Sequence, residues 1–79
     1  MNNDLLSNLE RIHTTPLGVE RIKKNLNLEI PDVVAWCKER ILNANDILQQ
    51  GKNWYVGVGN VRITINAHSF TIITAHKVK

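Results

Sequence analysis

The first half of the chain repeats its apolar residues every three or four positions, the spacing that lines one face of a helix. Three such stripes follow one another: Leu5, Leu9 and Ile12; Val19, Ile22 and Leu26; Val33, Cys37 and Ile41. They predict three helices, which run from about Asn3 to His13, from Pro16 to about Asn27, and from Pro31-Asp32 to about Leu42. Thr15 is a suitable N-cap for the second helix, because its hydroxyl can accept a hydrogen bond from the first turn.

From Ile47 the apolar residues recur at every second position, as in β-strands. Segments rich in β-branched and aromatic residues predict strands at Asn53–Val58, Val61–Asn66 and Ser69–His76, with a short extra strand at Ile47-Leu48. The chain is therefore predicted to be a single α+β domain, residues 1–79. Two to three N-terminal helices in residues 1–46 pack on one face of a C-terminal, three- to four-stranded antiparallel β-meander in residues 47–79.

The sequence also predicts a register for the meander. A two-residue turn at Gly59-Asn60 pairs Val58 with Val61, Val56 with Ile63, and Trp54 with Ile65. A two-residue turn at Ala67-His68 pairs Ile65 with Phe70 and Ile63 with Ile72. These residues share one face, which we expect to pack on the helices. The same count places His76 on that face with Ile72 and Thr74, unless a bulge changes the alternation.

The opposite face of the predicted sheet is polar and open. It carries a ring for stacking, cations for phosphate and hydroxyls for hydrogen bonds, which are the groups that an RNA-binding sheet uses. The candidate nucleic-acid contacts are Tyr55, Arg62, Thr64, Thr71 and Lys77, together with Lys52 nearby. A sheet face exposed only to solvent would also be polar.

Charge is divided unevenly along the chain. Residues 1–46 contain six basic and all seven acidic residues, whereas residues 47–79 contain four basic residues and no acidic one, within a total charge of +3. The four are Lys52, Arg62, Lys77 and Lys79. A strand region with only positive charge can attract phosphate or an acidic protein surface, although lysines also protect edge strands from aggregation.

The length and composition limit the class of protein. A chain of 79 residues buries a modest core, so we expect function on a surface or in a shallow groove. No apolar run approaches the roughly 18 residues of a membrane span, and the N-terminus lacks signal-peptide features. A cytoplasmic location is expected. Cys37 is the only cysteine, and its helical core position predicts an inert buried thiol rather than a nucleophile.

Histidines are the natural acid–base candidates, because the ordinary pKa of imidazole lies near neutrality. We select His76 and His68 as candidate catalytic residues, with Arg62 as the cation; His13 could instead interact with the terminal carbonyls of the first helix. The sequence has no metal, cofactor or phosphate-loop motif, so neither metal nor cofactor is expected. Cleavage of RNA by its own 2′-hydroxyl fits this inventory, since a base, an acid and a cation suffice.

Four segments together resemble a small bacterial family, domain of unknown function 3781, over nearly the whole chain. They are residues 13–18 (HTTPLG), 33–38 (VVAWCK), 52–56 (KNWYV) and 63–77 (ITINAHSFTIITAHK). This resemblance implies no activity. The layout of helices followed by a meander ending in Thr74-Ala75-His76 is similar, more loosely, to the fold of barnase, colicin-type and RelE-type ribonuclease toxins. That similarity implies a metal-independent ribonuclease.

Three functional hypotheses follow. The first is an RNA-contacting domain that cleaves RNA on its open sheet face. The second is a non-enzymatic protein-binding module, antitoxin-like or a mobile-element inhibitor such as an anti-CRISPR. The third is a structural domain that forms a homodimer through an open sheet edge. The expected partners are accordingly RNA, another protein or a second copy, with no membrane.

Overall fold

The computed structural model describes residues 4–78, in which helices precede a four-stranded antiparallel sheet of order β1-β2-β3-β4. The helices are α1 (Asp4–Ser7), α2 (Pro16–Leu26) and α3 (Val33–Leu42), with a 3-10 helix at Leu9–Arg11. The strands are β1 (Asp46–Gln50), β2 (Asn53–Val58), β3 (Val61–Asn66) and β4 (Ile72–Lys77). The predicted α+β class is confirmed. No helix in this part of the chain has the length and apolar character needed to cross a membrane.

The first helix is much shorter than the stripe of apolar residues predicts. Asn3 lies outside the described residues, α1 ends at Ser7, and the backbone is extended by Ile12. The reason is a parallel bridge between His13 and Thr71. The His13 N–H donates to the Phe70 carbonyl at 3.1 Å and the His13 carbonyl accepts from the Ile72 N–H at 2.7 Å, so this segment bonds to the sheet instead of continuing a helix.

The other two helices begin where the sequence predicts. The Thr15 hydroxyl accepts from the Gly18 N–H, and the Asp32 carboxylate accepts from the Ala35 N–H, each at 3.0 Å. Each bond satisfies a first-turn donor that has no partner within its own helix. Asn27 ends α2 in the left-handed region, at φ 55°, as C-cap residues often do.

One apolar core lies between the helices and one face of the sheet. α2 packs against β4 and α3 against β2. The predicted core residues Trp54, Val56, Ile63, Ile65, Phe70 and Ile72 are all buried. Cys37 is fully buried among them, and burial raises the pKa of its thiol from 9.0 to about 12. The prediction that Cys37 lies in the core is therefore confirmed, and a raised pKa disfavours the reactive thiolate.

The pairing of β2 with β3 matches the prediction, but that of β3 with β4 does not. Ile65 lies opposite Ile72, and Ile63 lies opposite Ala75, with a bulge opposite Thr64 and Ile65. Strand β4 therefore begins at Ile72 instead of Ser69. A bulge adds one residue to one strand and so reverses which residues face the helices beyond it.

The connection between β3 and β4 is longer than two residues because a side chain organises it. The Asn66 Oδ1 atom accepts hydrogen bonds from the backbone N–H groups of His68 and Ser69, at 2.9 and 3.0 Å. Phe70 follows with φ at +60°, a conformation that L-residues rarely adopt, while its ring stays buried. The Phe70 ring lies 5.2 Å from the Trp54 ring and 4.3 Å from the Arg11 guanidinium carbon.

Strand β1 begins one residue earlier than the predicted boundary, at Asp46. Asp46 pairs with Gly57. The sheet thus includes a carboxylate, so the expectation of a strand region without acids is wrong for the sheet as folded. This carboxylate changes the chemistry that the open face can offer.

Candidate functional site

Four residues form one transverse row across the open face of the sheet. Asp46 on β1 pairs with Gly57 on β2, Gly57 pairs with Arg62 on β3, and Arg62 pairs with His76 on β4. Adjacent strands lie about 4.8 Å apart. Arg62 and His76 are therefore immediate neighbours, and Asp46 lies roughly 10 Å from Arg62 across a residue without a side chain.

His76 joins this row because of the bulge in β4. The expectation that it faces the helices is wrong: Ala75 is fully buried and His76 is exposed. The same reversal shows that the expected position of Lys77 on the open face is wrong. Lys77 lies opposite Val61, in a row of the helix-facing side, and beside Trp36 and Arg40 of α3 it lines a groove.

Gly57 leaves a gap that the Asp46 carboxylate occupies. A Cβ atom placed on Gly57 would lie 2.5 Å from the Asp46 Oδ1 atom, so the carboxylate lies over β2, on the Arg62 side of its own strand. Among residues 5–78, the one ion pair within 4 Å joins Glu39 and Arg40. The Arg62 guanidinium is therefore not neutralised by Asp46 in a close pair and can meet an anion.

A shallow depression of about 160 Å³ lies over the part of the row formed by Asp46, Gly57 and Arg62, and His76 lies outside its lining. Its walls are Asp46, Leu48, Gln50, Tyr55, Gly57 and Arg62. Drug-sized ligands need pockets of roughly 300 Å³ or more, so this depression suits one group of a larger, surface-bound molecule. Tyr55 is half-buried and lies opposite Thr64, which is only 9% exposed and offers little surface.

The remaining candidate residues lie at the other end of the sheet. Lys52 is in the turn between β1 and β2, and its carbonyl accepts from the Ala67 N–H at 2.7 Å. His68 follows in the adjacent loop. The four residue steps from Arg62 to Asn66 separate the two ends by about 13 Å. The structure therefore brings Arg62 and His76 together, and it places the exposed His68 apart from them.

Thr71, another candidate contact, belongs to a hydrogen-bonded chain at the edge of β4. Its hydroxyl lies 3.0 Å from His13 Nε2 and 2.7 Å from the Ser69 hydroxyl. His13 Nδ1 lies 2.8 Å from the Arg11 carbonyl, which can only accept, so this nitrogen carries the proton. These contacts hold the N-terminal segment on the sheet. The parallel pairing of His13 with Thr71 has no signal in the sequence.

Asp46 is the residue of the row that sequence reasoning missed. The predicted division left it in the helical part, residues 1–46, although Asp46, Leu48 and Gln50 alternate as one face of a strand does. Within residues 4–78, no group of three or more His, Cys, Asp or Glu side chains could hold a metal ion. What the row offers chemically is a carboxylate and an imidazole on either side of a guanidinium.

Comparison with known proteins gives one match. Residues 6–76 match the family model described as a protein of unknown function (DUF3781). The search of curated proteins and the search of solved structures each found no match.

Proposed function

The chain belongs to the DUF3781 family, and from that premise we propose that it binds RNA on the open face of its sheet and cleaves it by transesterification. The observation that carries this proposal is the transverse row in which Arg62 lies between Asp46 and His76. The row supplies one cation and two proton-transfer groups on a surface open to a polymer. The resemblance of layout to ribonuclease toxins is not confirmed, since no solved structure matched, and the proposal rests on the row.

The reaction would use the RNA as its own nucleophile. The 2′-oxygen forms a bond to the adjacent phosphorus as its proton leaves, and the bond from phosphorus to the 5′-oxygen breaks as that oxygen gains a proton. The products are a 2′,3′-cyclic phosphate and a 5′-hydroxyl. The step needs a base, an acid and a group that stabilises charge on the phosphate oxygens.

A residue of the row can fill each of these three roles. Arg62 would hold the phosphate, because a guanidinium can donate two parallel hydrogen bonds to phosphate oxygens. His76 and Asp46 would exchange the protons on opposite sides of that phosphate. Their backbones are three strand spacings apart, about 14 Å, and the carboxylate reaches inward over Gly57. The remaining space suits one phosphate with its attacking and leaving oxygens in line.

Binding would rest on stacking as much as on charge. The half-buried ring of Tyr55 offers apolar surface to a nucleobase beside Arg62. One cation in the row implies contact with one or two phosphates. The logarithm of the binding constant should therefore fall with the logarithm of the salt concentration at a slope of about −1.

The test is an RNA-cleavage assay on purified protein. A single-stranded RNA oligonucleotide and its all-2′-deoxy counterpart are incubated in the presence of a chelator, and the products are resolved by mass. We expect the RNA alone to be cut, with a 2′,3′-cyclic phosphate end. An Arg62→Ala preparation, purified in parallel, controls for contaminating nuclease and should lose the activity.

Two results would overturn the proposal. One is a wild-type protein that neither cleaves RNA nor binds it in a salt-dependent manner. The other is equal cleavage by the wild-type and Arg62→Ala preparations, which would assign the activity to a contaminant. In either case the protein-binding hypothesis from the sequence becomes the better one.

A further inference from the structure

The two edges of the sheet differ in how they are covered. At the β4 edge, the Thr14 hydroxyl donates to the Ile72 carbonyl at 2.9 Å, and the Asn25 side chain donates to the Ala75 carbonyl at 3.3 Å. His13 adds a short parallel pairing with Thr71. Backbone groups that would otherwise face outward are therefore occupied along much of β4, which protects this edge from pairing with another strand.

The β1 edge is left more open. In residues 4–78, β1 pairs only with β2, and four of its five residues are exposed. Its central residue, Leu48, is 55% exposed. The strand carries no lysine, proline or bulge of the kind that proteins use to block edge pairing.

We propose that β1 pairs antiparallel with β1 of a second copy of this chain, on a two-fold axis at Leu48. Leu48 is the third of five residues, so an axis there pairs the strand fully with itself. Leu48 then meets its own counterpart on the open face, where like apolar side chains pack together. Asp46 meets Gln50, so each acidic residue lies opposite a neutral one and not opposite the acidic residue of the other copy.

This register places no like charges opposite one another, because Ile47 meets Gln49 in the remaining pair. The result is a continuous eight-stranded sheet whose two open faces form one surface. The two Arg62 residues would be separated by five strand spacings, about 24 Å, across the sheet and by four residue steps, about 13 Å, along the strands. The pairing rests on the edge strand alone and stands whether or not the protein cleaves RNA.

Size-exclusion chromatography with light scattering, over a range of protein concentrations, tests the pairing. The wild type should move from 9.0 kDa toward twice that mass as the concentration rises. Leu48→Lys and Leu48→Glu should each weaken the dimer at least tenfold, because like charges meet at the axis. An equimolar mixture of the two variants should form a heterodimer, since opposite charges then face each other.

Leu17→Lys is the matched control, because Leu17 is 75% exposed on α2 and distant from β1 in the chain. It should leave dimerisation unchanged, and circular dichroism should show that all variants fold. A wild type that stays at 9.0 kDa up to millimolar concentration overturns the proposal. An equimolar mixture of Leu48→Lys and Leu48→Glu that remains monomeric also overturns it. Heterodimer formation requires position 48 of one copy to face position 48 of the other.

Discussion

Arg62 on β3 is paired directly with His76 on β4, at the edge of the depression that also holds Tyr55. A cation beside an imidazole on an exposed sheet face can hold an anion and transfer a proton at one place. The bulge near Thr64 keeps His76 on this face, so the arrangement belongs to the tertiary structure. Its consequences can be tested by substitution.

His76→Ala should lower RNA cleavage at least about 100-fold, the usual contribution of a general acid or base. His68→Ala is the matched control, because His68 is also exposed but lies at the other end of the sheet. It should change the cleavage rate less than about twofold. The measurement is the initial rate on a single-stranded RNA oligonucleotide; equal losses in the two variants would show that proximity to Arg62 does not matter.

Gly57→Ala should reduce cleavage without unfolding the protein. The new Cβ would lie 2.5 Å from the Asp46 Oδ1 atom, so the carboxylate must turn away from Arg62. Because the displaced group ends a short, exposed side chain, the free energy of unfolding should change by less than about 1 kcal/mol. Urea unfolding measures this stability.

A double variant separates this effect from others. If Gly57→Ala acts only by moving the carboxylate, then adding it to Asp46→Ala should cause no further loss of rate. An additive loss in the double variant would show that Gly57 affects the site by another route.

Phe70→Gly should be more stable than Phe70→Ala, by about 1 kcal/mol, although both lose a buried ring. The reason is that Phe70 has φ at +60°, where a Cβ atom is unfavourable and glycine is not. Phe70→Ala should lower the free energy of unfolding by about 3–5 kcal/mol relative to the wild type. Phe70→Gly should lower it by about 1 kcal/mol less.

A helical position should show the opposite order. Lys38 lies inside α3, so Lys38→Gly should be less stable than Lys38→Ala by about 1 kcal/mol. Chemical denaturation measures the free energy of unfolding of the four variants. The same order at both positions would mean that the conformation of Phe70 imposes no strain.

The stability of the wild type should fall in alkaline solution through Cys37. Burial raises the pKa of the folded thiol to about 12, whereas the unfolded chain releases the proton near 9.0. The contribution of the neutral thiol is therefore fully present below about pH 9 and is lost as the pH rises toward 12. Within this window the free energy of unfolding should drop by up to about 1.4 kcal/mol per pH unit.

Cys37→Ala isolates this contribution from the other groups that titrate in the same range. The difference in stability between the wild type and Cys37→Ala should shrink as the pH rises from 9 to 11, in urea unfolding followed by circular dichroism. Thiol reagents should modify the wild-type protein only under denaturing conditions. A constant difference across this range would show that the thiol ionises as readily in the folded protein as in the unfolded one.

Local signals in the sequence predicted much of the helical half and the central hairpin. Thr15 and Asp32 cap their helices through bonds to residues three positions away, so a short segment contains all the information. The pairing of Trp54 with Ile65 follows from a two-residue turn between strands of matching alternation. Asp46 shows the limit of such signals, because a single polar residue at a boundary fits a loop and a strand equally well.

The sequence by itself determined the α+β class, the helix caps, the register of β2 with β3 and the burial of the core residues, because each depends on neighbouring residues or on one apolar alternation. Only the tertiary structure decided the row of Asp46, Arg62 and His76. The bulge follows a loop whose shape involves the Asn66 side chain and the positive φ of Phe70, and the N-terminal segment bonds to β4 through residues 58 positions apart. An added residue in one strand moves every later side chain to the other face, which an alternating pattern alone does not reveal.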